Sequence, residues 1–556
     1  MKYEFLFSLF DKITEKNGTK TALAMRSKWG WSEFTYKGLN LLAMRLGAYL
    51  INDLQVPKGD RLCILSESKP EYAACVFGSV LAGQITVPLD NKLTIYELES
   101  ILSNCEPTTM LCSSANIEKA LELRNRIPSL KHIILMDADL LDNNEIPSLY
   151  SIPENYKAKW RRSSLSSTAL IIYTSGTTGA PKGVQTTYKN VLTQMYDIKD
   201  VFKEIMPKKD VRLLSILPMN HLFEFTVGFT AMLNHGYSIY YTKSLKPKDI
   251  IETMEEKKIS FMITVPAFLK LIKTSVEADI KKKPKFNQWL FKVRYELARF
   301  LPLKARRIWF KSVHKMLGGR FYGCISGGAP LDAAVGEFFE RIGIGVYQGY
   351  GLSETSPVIS VCMNGKYHDL KSVGPILKSY EAKIDPETHE LLVKGPSVMK
   401  GYYKQEELTK SVITEDGWLH TGDMAEIKNG LLYITGRIKN MIVLSGGKKV
   451  FPEEVENVLG DSSNFAEVCV MGMKREFGEK DGCEEIVTVV VPTEEFANKY
   501  PDEKELEKAV RAEVKTLSSR LASYKRPVKI IVRRETLPKT TTNKLKRKEI
   551  KELIQA

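Results

Sequence analysis

Short apolar runs and helical periodicities alternate along the first two-thirds of the chain. Apolar runs of strand length lie at 61–65, 84–88 and 108–112, and stretches with helical spacing separate them at 71–81 and 96–103. Similar strand-like runs follow at 213–217, 261–265 and 320–325. This alternation predicts an α/β fold in which mostly parallel sheets are flanked by helices on both faces. Ligands in such folds gather at the carboxyl ends of the strands.

The pattern changes in the last part of the chain. Runs rich in β-branched residues at 466–471, 485–491 and 530–532 predict strands, and the charged stretch 503–517 predicts a helix. These elements indicate a separate, small α+β domain. The predicted N-terminal and C-terminal domains are residues 1–437 and 438–556.

A loop of small residues follows the apolar run 169–172, which predicts a buried strand. Glycines in the loop let backbone N–H groups approach an anion, while hydroxyls and Lys182 add donors and a positive charge, so the loop suits a polyphosphate. It is not a Walker loop, which places glycine directly before the lysine, because Pro181 stands there. The residues expected to contact phosphate are Thr174, Ser175, Gly176, Thr177, Thr178, Gly179 and Lys182.

Composition excludes several classes of protein. Of the 556 residues 43% are hydrophobic, which is typical of a globular protein with a large core. The eight cysteines form no C-x-x-C pair, which argues against a zinc site or a disulfide scaffold and favours free thiols in a reducing cytoplasm. The most apolar windows are shorter than the ~20 residues that a membrane span needs.

The net charge of +15 is largely local. Residues 281–316 carry twelve Lys and Arg against one acid, Glu296. A nucleic-acid binder would spread its basic residues over a groove, so this distribution argues against nucleic acid as a partner.

The same basic segment has the periodicity of a helix that ends before Pro302. Apolar residues separated by steps of 4, 3, 4 and 4 form one face, namely Phe286, Leu290, Val293, Leu297 and Leu301. A basic amphipathic helix with aromatic residues is typical of an element on an anionic membrane surface. A helical hairpin that packs on its own domain and leaves a solvated basic face fits the pattern equally well.

Four further segments place single polar or small groups in loops. Glu354 can hold Mg²⁺ against phosphate oxygens, the Gly-Gly-Ala ledge 327–329 suits a planar ring, and Asp423 can bind a ribose diol. Lys544 lies in a hydroxyl-rich turn. Each segment alone is more typical of an ordinary loop, turn or basic tail.

Together, in this order and over nearly the whole chain, these segments resemble the adenylate-forming superfamily of acyl-CoA synthetases, luciferases and peptide-synthetase adenylation domains. The resemblance implies ATP, Mg²⁺ and CoA as cofactors. It also implies a large N-terminal domain and a small, mobile C-terminal domain that rotates about a hinge at Lys439. Two residues depart from the usual pattern, since Asn543 stands where glycine usually precedes the lysine and Asn440 where aspartate commonly follows the hinge.

The resemblance assigns a role to each matching residue. The catalytic positions are Lys544, Lys182 and Glu354, and the Mg²⁺ positions are Thr174 and Glu354. Besides the phosphate loop and Lys544, the nucleotide positions are Gly327, Gly328, Ala329, Gln348, Gly349, Tyr350, Thr355, Asp423 and Arg437. Gly446 matches the glycine beside the pantetheine channel of the family.

Within the superfamily the chain is most similar to bacterial long-chain fatty acyl-CoA synthetases. The similarity rests on the basic insert 281–316 and on the segments 217–228, 325–332, 345–357 and 436–456. It implies activation of a long-chain fatty acid to acyl-AMP and transfer of the acyl group to the thiol of CoA. His221, Phe223 and Phe225 are then expected near the acyl channel, although His221 fits a buried core histidine equally well.

Other functions stay open. The thiol can belong to an acyl carrier protein instead of CoA, and the acid can be another hydrophobic carboxylate. A non-catalytic nucleotide-binding or membrane-binding module is disfavoured because Lys182, Glu354, Asp423, Arg437 and Lys544 are all present. We expect a cytoplasmic enzyme, with peripheral contact to an anionic membrane as the finer expectation.

Overall fold

The computed structural model describes residues 6–27, 30–137, 146–174, 181–207, 210–365, 368–444, 448–474, 484–539 and 545–555. The chain divides into two compact units. The first comprises Met1–Glu381 and Val393–Leu419, and the second comprises Ala382–Leu392 and His420–Ala556. The boundary between 437 and 438 is the one expected from the predicted hinge at Lys439, and it stays a prediction.

Strands and helices alternate through the first unit. Its strands up to residue 361 are β1 (Thr21–Ser27), β2 (Gly30–Thr35), β3 (Arg61–Leu65), β4 (Ile85–Leu89), β5 (Thr109–Cys112), β6 (His132–Leu135), β7 (Thr168–Thr174), β8 (Lys182–Thr187), β9 (Arg212–Ser215), β10 (Ser238–Tyr241), β11 (Phe261–Thr264), β12 (Gly323–Ser326), β13 (Gly345–Gly351) and β14 (Val358–Val361). Its helices up to residue 341 are α1 (Leu6–Asn17), α2 (Tyr36–Asn52), α3 (Glu71–Leu81), α4 (Ile95–Cys105), α5 (Ile117–Arg126), α6 (Tyr188–Ile205), α7 (Met232–Asn234), α8 (Pro247–Glu256), α9 (Pro266–Lys281), α10 (Lys285–Ala298), α11 (Leu303–Trp309), α12 (Lys311–Met316) and α13 (Ala333–Arg341). A π-helix covers Glu224–Ala231. The next elements are β15 (Glu381–Ile384), β16 (Glu390–Lys394), β17 (Gly401–Tyr402), α14 (Glu406–Val412), β18 (Leu419–Lys428) and β19 (Leu431–Arg437).

Two mainly parallel sheets form the first unit. One has the strand order β14-β13-β12-β11-β9-β10-β1-β2, and the other has the order β17-β8-β7-β4-β3-β5-β6. Pairing is parallel from β13 to β1 in the first sheet and from β7 to β6 in the second. Antiparallel pairs occur at the edges, including the β7–β8 hairpin. The predicted α/β class is confirmed.

Apolar residues from both strands and helices bury these sheets. In the seven-stranded sheet Cys63, Val87 and Met110 pack in one cluster with Leu102 of α4 and Leu123 of α5. The flanking helices cover the strands because their apolar positions fall on one face. Burial on both sides holds the strands in place, and their ends carry the predicted site residues.

The second unit is a smaller α+β structure, as predicted. Its further elements are β20 (Ile442–Val443), β21 (Lys449–Val450), α15 (Pro452–Leu459), β22 (Phe465–Lys474), β23 (Glu484–Pro492), α16 (Glu494–Asn498), α17 (Glu503–Ser518), β24 (Lys529–Val532) and α18 (Arg547–Gln555). β22, β23 and β24 form one sheet, and β15, β16, β18 and β19 form another. Val470, Val490 and Val510 join one core between the first of these sheets and its helices.

The basic insert forms α10, α11 and α12, in agreement with the helical periodicity. Phe291 and Tyr295 of α10 pack against the core of the first unit, and Ala298 is fully buried. Phe286 and Leu297 of the predicted apolar face are exposed instead. Among the helices that the structure describes, none combines the length and the apolar character needed to cross a bilayer.

Candidate active site

The β7–β8 hairpin carries the base of the predicted phosphate loop. Thr174, the last residue of β7, pairs directly with Lys182, the first of β8. The hydroxyl of Tyr173 donates to Asn104 Oδ1 at 2.5 Å, which ties the end of β7 to α4. Gly183 is required beside it, because a Cβ there would lie 2.8 Å from Ile171 Cγ2. The hairpin therefore holds Thr174 and Lys182 side by side at the carboxyl end of a buried strand.

Five of the residues predicted to contact phosphate lie outside the described residues, namely Ser175, Gly176, Thr177, Thr178 and Gly179. Their predicted contacts with phosphate stay predictions.

The Tyr402 phenol holds the side chain of Glu354. The Tyr402 hydroxyl donates to Glu354 Oε1 at 2.8 Å. Burial, and then the proximity of Glu354, raise the pKa of the Tyr402 phenol far above its ordinary value, so it stays a neutral donor. The backbone N–H of Met399 also donates to the carbonyl of Glu354 at 2.8 Å.

One short strand connects Glu354 to the hairpin. Tyr402 lies in β17, which pairs with β8 so that Tyr402 faces Val184, two residues from Lys182. The backbone N–H of Tyr403 donates to the carbonyl of Gly183 at 2.7 Å. The structure thus brings the Glu354 loop and the Thr174–Lys182 pair together through β17, although these segments are far apart in sequence.

These donors fit Mg²⁺ only together with phosphate oxygens. Mg²⁺ is usually bound by one or two carboxylates, substrate phosphates and waters, and Thr174 and Glu354 supply one hydroxyl and one carboxylate. Within the described part of the chain, no cluster of three or more His, Cys, Asp or Glu side chains is arranged to hold a metal ion.

The predicted adenine ledge lies at the ends of two adjacent parallel strands. Ser326 at the end of β12 pairs with Gln348 in β13, so Gly327 and Gly349 follow at the same sheet edge. A Cβ at Gly327 would lie 2.9 Å from Phe223 Cζ, so the glycine leaves room for the Phe223 ring beside the ledge. Gly328 has φ +80°, a backbone conformation that favours glycine. The ledge is therefore flat, and Ala329 beside it is exposed.

Two residues predicted to bind nucleotide use their side chains in hydrogen bonds within the protein. Gln348 Nε2 donates to the carbonyls of Leu370 at 2.5 Å and Ser372 at 3.2 Å. The fully buried Thr355 hydroxyl accepts the Leu352 N–H at 2.9 Å and donates to the Pro357 carbonyl at 2.8 Å. These bonds stabilise the loops around the ledge, and direct nucleotide contact by either residue stays a prediction.

The predicted ribose residues form an ion pair in the second unit. Asp423 and Arg437 face each other across β18 and β19. Arg437 Nε lies 2.8 Å from Asp423 Oδ1, and the Asp423 side chain is 2% exposed while that of Arg437 is 42% exposed. The guanidinium fixes the carboxylate in one orientation.

The hinge and the two remaining predicted catalytic segments also belong to the second unit. Lys439 lies in the short 3₁₀ helix Ile438–Asn440. In the same helix, the Asn440 side-chain amide donates to Glu453 Oε1 at 2.8 Å. Gly446 and Lys544 lie outside the described residues. The segment that contains Lys544 is closed at its base by a bridge between Lys539 and Leu545. The catalytic role of Lys544 stays a prediction.

The predicted acyl residues divide between a cavity and the core. Phe223 lines a small cavity with only apolar side chains, whereas Phe225 is 1% exposed and packs edge-on against Phe229 at 5.6 Å. His221 is half-buried at the start of the same segment. The cavity is lined by Ile198, Val201, Phe202, Phe223, Val227, Ile325, Gly349, Val358 and Val361. It has a volume of about 10 Å³, room for roughly one water, so an acyl chain requires it to widen.

Sequence reasoning missed Glu224 in the π-helix beside this cavity. Its side chain is fully buried, Oε1 accepts from the Ser215 hydroxyl at 2.6 Å, and Oε2 has no hydrogen-bond partner among the described residues. Burial raises the pKa of Glu224 to about 8. A Cβ at Gly228 would lie 2.5 Å from this carboxyl group. A lone acid in an otherwise apolar run, one turn before a glycine, was the available signal.

Comparisons with known proteins agree with the arrangement. A family model described as AMP-binding enzyme matches residues 10–403, and a model described as AMP-binding enzyme C-terminal domain matches 454–544. Long-chain-fatty-acid–CoA ligase FadD15 of Mycobacterium bovis is 28% identical, with 78% of this chain and 74% of that protein covered. Long-chain-fatty-acid–[acyl-carrier-protein] ligase AEE15 of Arabidopsis thaliana is 29% identical, with 93% and 80% covered.

A solved structure supports the fold over the full length. The anthranilate CoA ligase AuaEII in complex with anthranoyl-AMP superimposes with a TM-score of 0.80 at 20% identity, covering 99% of this chain and 97% of that one. The predicted resemblance and fold class are therefore confirmed.

Proposed function

The chain belongs to the AMP-binding enzyme family, and from that premise we propose that it activates a long-chain fatty acid with ATP and transfers the acyl group to CoA. The observation that carries the proposal is the junction at β17, where the Tyr402–Glu354 bond and the β8 pairing join a carboxylate to the Thr174–Lys182 hairpin. An anion-binding loop with an adjacent carboxylate is what a magnesium–nucleotide complex requires.

In the first step a carboxylate oxygen of the acid attacks the α-phosphorus of ATP. The new P–O bond replaces the bond to the β-phosphate oxygen, so acyl-AMP forms and pyrophosphate leaves. Lys182 and Lys544 stabilise the negative charge that builds on the transferred and leaving groups. Thr174 and Glu354 would hold Mg²⁺, which supplies further neutralisation of the phosphate oxygens when bound.

In the second step a thiol attacks the carbonyl carbon of acyl-AMP and AMP leaves with the bridging oxygen. Lys544 must first withdraw so that the thiol can approach. Rotation of the C-terminal domain about Lys439, with Gly446 moving to the thiol channel, is the proposed route. The segment with Lys544 then serves acyl-AMP formation, and the segment with Gly446 serves transfer to the thiol.

The small apolar cavity is the proposed start of the acyl site. It touches Gly349 of the adenine ledge and Phe223, whose ring lies against Gly327, so a chain entering it would keep its carboxyl end near the nucleotide. Its lining is apolar throughout, which favours an alkyl chain over a polar acid. We place the reaction in the cytoplasm at the inner membrane face, where fatty acids partition.

An acyl carrier protein is the second candidate acceptor. The similarity to an acyl-carrier-protein ligase over 93% of this chain favours keeping it beside CoA. Both acceptors present the same phosphopantetheine thiol, so the chemistry of acyl transfer is shared and only the docking surface differs.

The proposal is tested with a panel of fatty acids of increasing chain length, assayed for pyrophosphate release with and without CoA or acyl carrier protein. Mass spectrometry then identifies acyl-AMP and the thioester. We expect release with long-chain acids and a thioester with CoA. Lys544→Ala should reduce pyrophosphate release by about 10²–10³ and spare thioester formation from supplied acyl-AMP. Absence of pyrophosphate release with every acid would contradict the proposal.

A further inference from the structure

Helix α10 has two apolar faces, and its own domain covers only one. Phe291 packs against Phe310 with ring centroids 5.2 Å apart, and Tyr295 against Phe338 at 6.0 Å. Ala298, one turn later, is fully buried. With 3.6 residues per turn these three residues fall within an arc of about 60°. This inner face explains how the helix is attached to the first unit.

The outer face lies roughly opposite. Phe286 is 67% exposed, Trp289 58% and Leu297 49%, and the three fall within an arc of about 80°. The half-buried Leu290 and Val293 complete this stripe. The inner face alone attaches α10 to the first unit. The exposed apolar residues of the outer face therefore have no role in that attachment.

Apolar exposure continues past the end of α10. Phe300 is 73% exposed with the Arg299 guanidinium 4.7 Å from its ring, and Ile308 is 76% exposed. Six of the seventeen exposed large apolar side chains among the described residues lie between 286 and 309. A concentration of this kind marks an interaction surface, whereas single exposed apolar residues are ordinary.

Cations flank the apolar stripe on both sides. Lys285, Lys292 and Arg299 recur every seven residues along one flank, and Arg294 lies on the other. Their long stems can lie along the stripe while the charged ends reach outward. The single acid of the insert, Glu296, is paired with Arg341 at 3.0 Å. The cations that border the outer face are therefore not neutralised by an acid of the insert.

Two arginines of the insert serve the fold instead. Arg306 Nη1 donates to the Glu340 carbonyl at 2.9 Å, and Arg307 Nη1 donates to the Phe321 carbonyl at 2.5 Å. Arg294 also donates to the Trp309 carbonyl at 3.4 Å, so the flanking cations that are distinct from these anchors are Lys285, Lys292 and Arg299.

We propose that the outer face of α10 is a membrane-docking surface that lies flat on an anionic phospholipid bilayer. Phe286, Trp289, Leu297 and Phe300 enter the level of the headgroups, and Lys285, Lys292 and Arg299 meet lipid phosphates. Aromatic residues on one side of a helix with cations at its borders are what an interfacial helix requires. The usefulness of this surface rests on the proposed function, since a fatty acid substrate dissolves in the same bilayer. Vesicle binding can nevertheless be measured without any catalytic activity.

The test is co-sedimentation of the full chain with vesicles of phosphatidylcholine alone and of equal parts phosphatidylcholine and phosphatidylglycerol. One variant removes apolar residues (Phe286→Ser, Trp289→Ser, Phe300→Ser), and a second removes cations (Lys285→Ala, Lys292→Ala, Arg299→Ala). The matched controls lie at another exposed site of the first unit. They are Leu245→Ser, which is 60% exposed in the wild type, and the triple change Lys243→Ala, Lys246→Ala and Lys248→Ala.

We expect binding to the anionic vesicles only, at least about tenfold weaker partition for both outer-face variants, and no change for the controls. Equal binding by outer-face variants and controls, or no binding by the wild type, would overturn the proposal. Size-exclusion chromatography of the same proteins identifies the alternative occupant, because loss of a dimer in the apolar variant without vesicle binding would assign the face to a second copy. Pyrophosphate release measured on the same variants without vesicles reports separately on the ligase proposal.

Discussion

Glu354 in the first unit is predicted to hold Mg²⁺ and Asp423 in the second to bind the ribose, and the protein holds the two carboxylates with different kinds of partner. Glu354 accepts a hydrogen bond from the neutral phenol of Tyr402 at 2.8 Å, and Asp423 forms an ion pair with the cationic guanidinium of Arg437, also at 2.8 Å. The Tyr402 bond orients the Glu354 carboxylate without neutralising its charge. The Arg437 ion pair orients the Asp423 carboxylate and neutralises it.

This difference matches the two ligands that the residues are proposed to meet. Mg²⁺ is attracted by the negative charge of a carboxylate ligand. A neutral donor such as the Tyr402 phenol therefore suits Glu354, because it orients the carboxylate and preserves that charge. A ribose diol is neutral and needs acceptors in fixed positions, so a compensated carboxylate suits Asp423. Glu224 provides a third case, since burial without a cationic partner favours its protonated form.

The largest effect is expected at Glu354. Glu354→Gln keeps the shape and the Tyr402 contact but removes the charge, and we expect pyrophosphate release to fall by about 10²–10³ at saturating ATP and Mg²⁺. Initial rates over a magnesium titration measure this. Glu415→Gln, at an exposed glutamate of the same unit, is the matched control. A rate close to that of the control would show that the negative charge of Glu354 is not needed for pyrophosphate release.

Asp423→Asn should have a smaller effect that appears in ATP binding. Loss of hydrogen bonds to a charged acceptor raises the KM for ATP about tenfold to a hundredfold, with a smaller change in kcat. The variant should also lose discrimination between ATP and 2′-deoxy-ATP or 3′-deoxy-ATP. Asp461→Asn disrupts an exposed ion pair with Arg520 in the same unit and serves as control. Undiminished discrimination against both deoxynucleotides would show that Asp423 does not contact the ribose.

The third prediction concerns the pH dependence of stability at Glu224. Because its pKa rises from 4.5 to about 8 on folding, the folded state binds the extra proton between these values. The free energy of unfolding should therefore fall as the pH rises through this window, by up to about 1.4 kcal/mol per pH unit from this group. Glu224→Gln should lack this contribution. Denaturant unfolding of both proteins across the window measures it, and parallel curves would contradict the buried, protonated state.

The smallest effect is expected at Tyr402. Tyr402→Phe removes one neutral hydrogen bond and leaves the charge of Glu354 in place, so pyrophosphate release should fall only about threefold to tenfold. The loss should be partly recovered at high Mg²⁺. Tyr524→Phe, at an exposed tyrosine of the second unit, is the control. A loss as large as that of Glu354→Gln would mean that the phenol acts directly on the nucleotide, which breaks the comparison.

The sheets were predictable because their strands are short apolar runs bounded by polar or glycine-rich loops. The run 61–65 corresponds to β3 residue for residue, and 71–81 to α3, since burial on all sides leaves little other choice for such segments. The support of Glu354 was not predictable in this way. Tyr402 lies 48 residues away in a two-residue strand, and no local pattern marks such a pairing.

Helix α10 shows a second limit of periodicity. The spacing of Phe286, Leu290, Val293 and Leu297 indicates that one face of the helix is apolar, but it carries no information about what covers that face. The inner contacts of Phe291 and Tyr295 depend on the position of Phe310 and Phe338 in the folded unit. Only tertiary structure separates the two faces.

The central claim is that a carboxylate oxygen of the acid attacks the innermost phosphorus of ATP. It is tested most directly by supplying a long-chain fatty acid labelled with ¹⁸O in its carboxyl group, together with ATP, Mg²⁺ and CoA, and analysing the products by mass spectrometry. The account predicts one labelled oxygen in AMP and none in pyrophosphate. Label in inorganic phosphate, or AMP that carries no label while thioester accumulates, would contradict it.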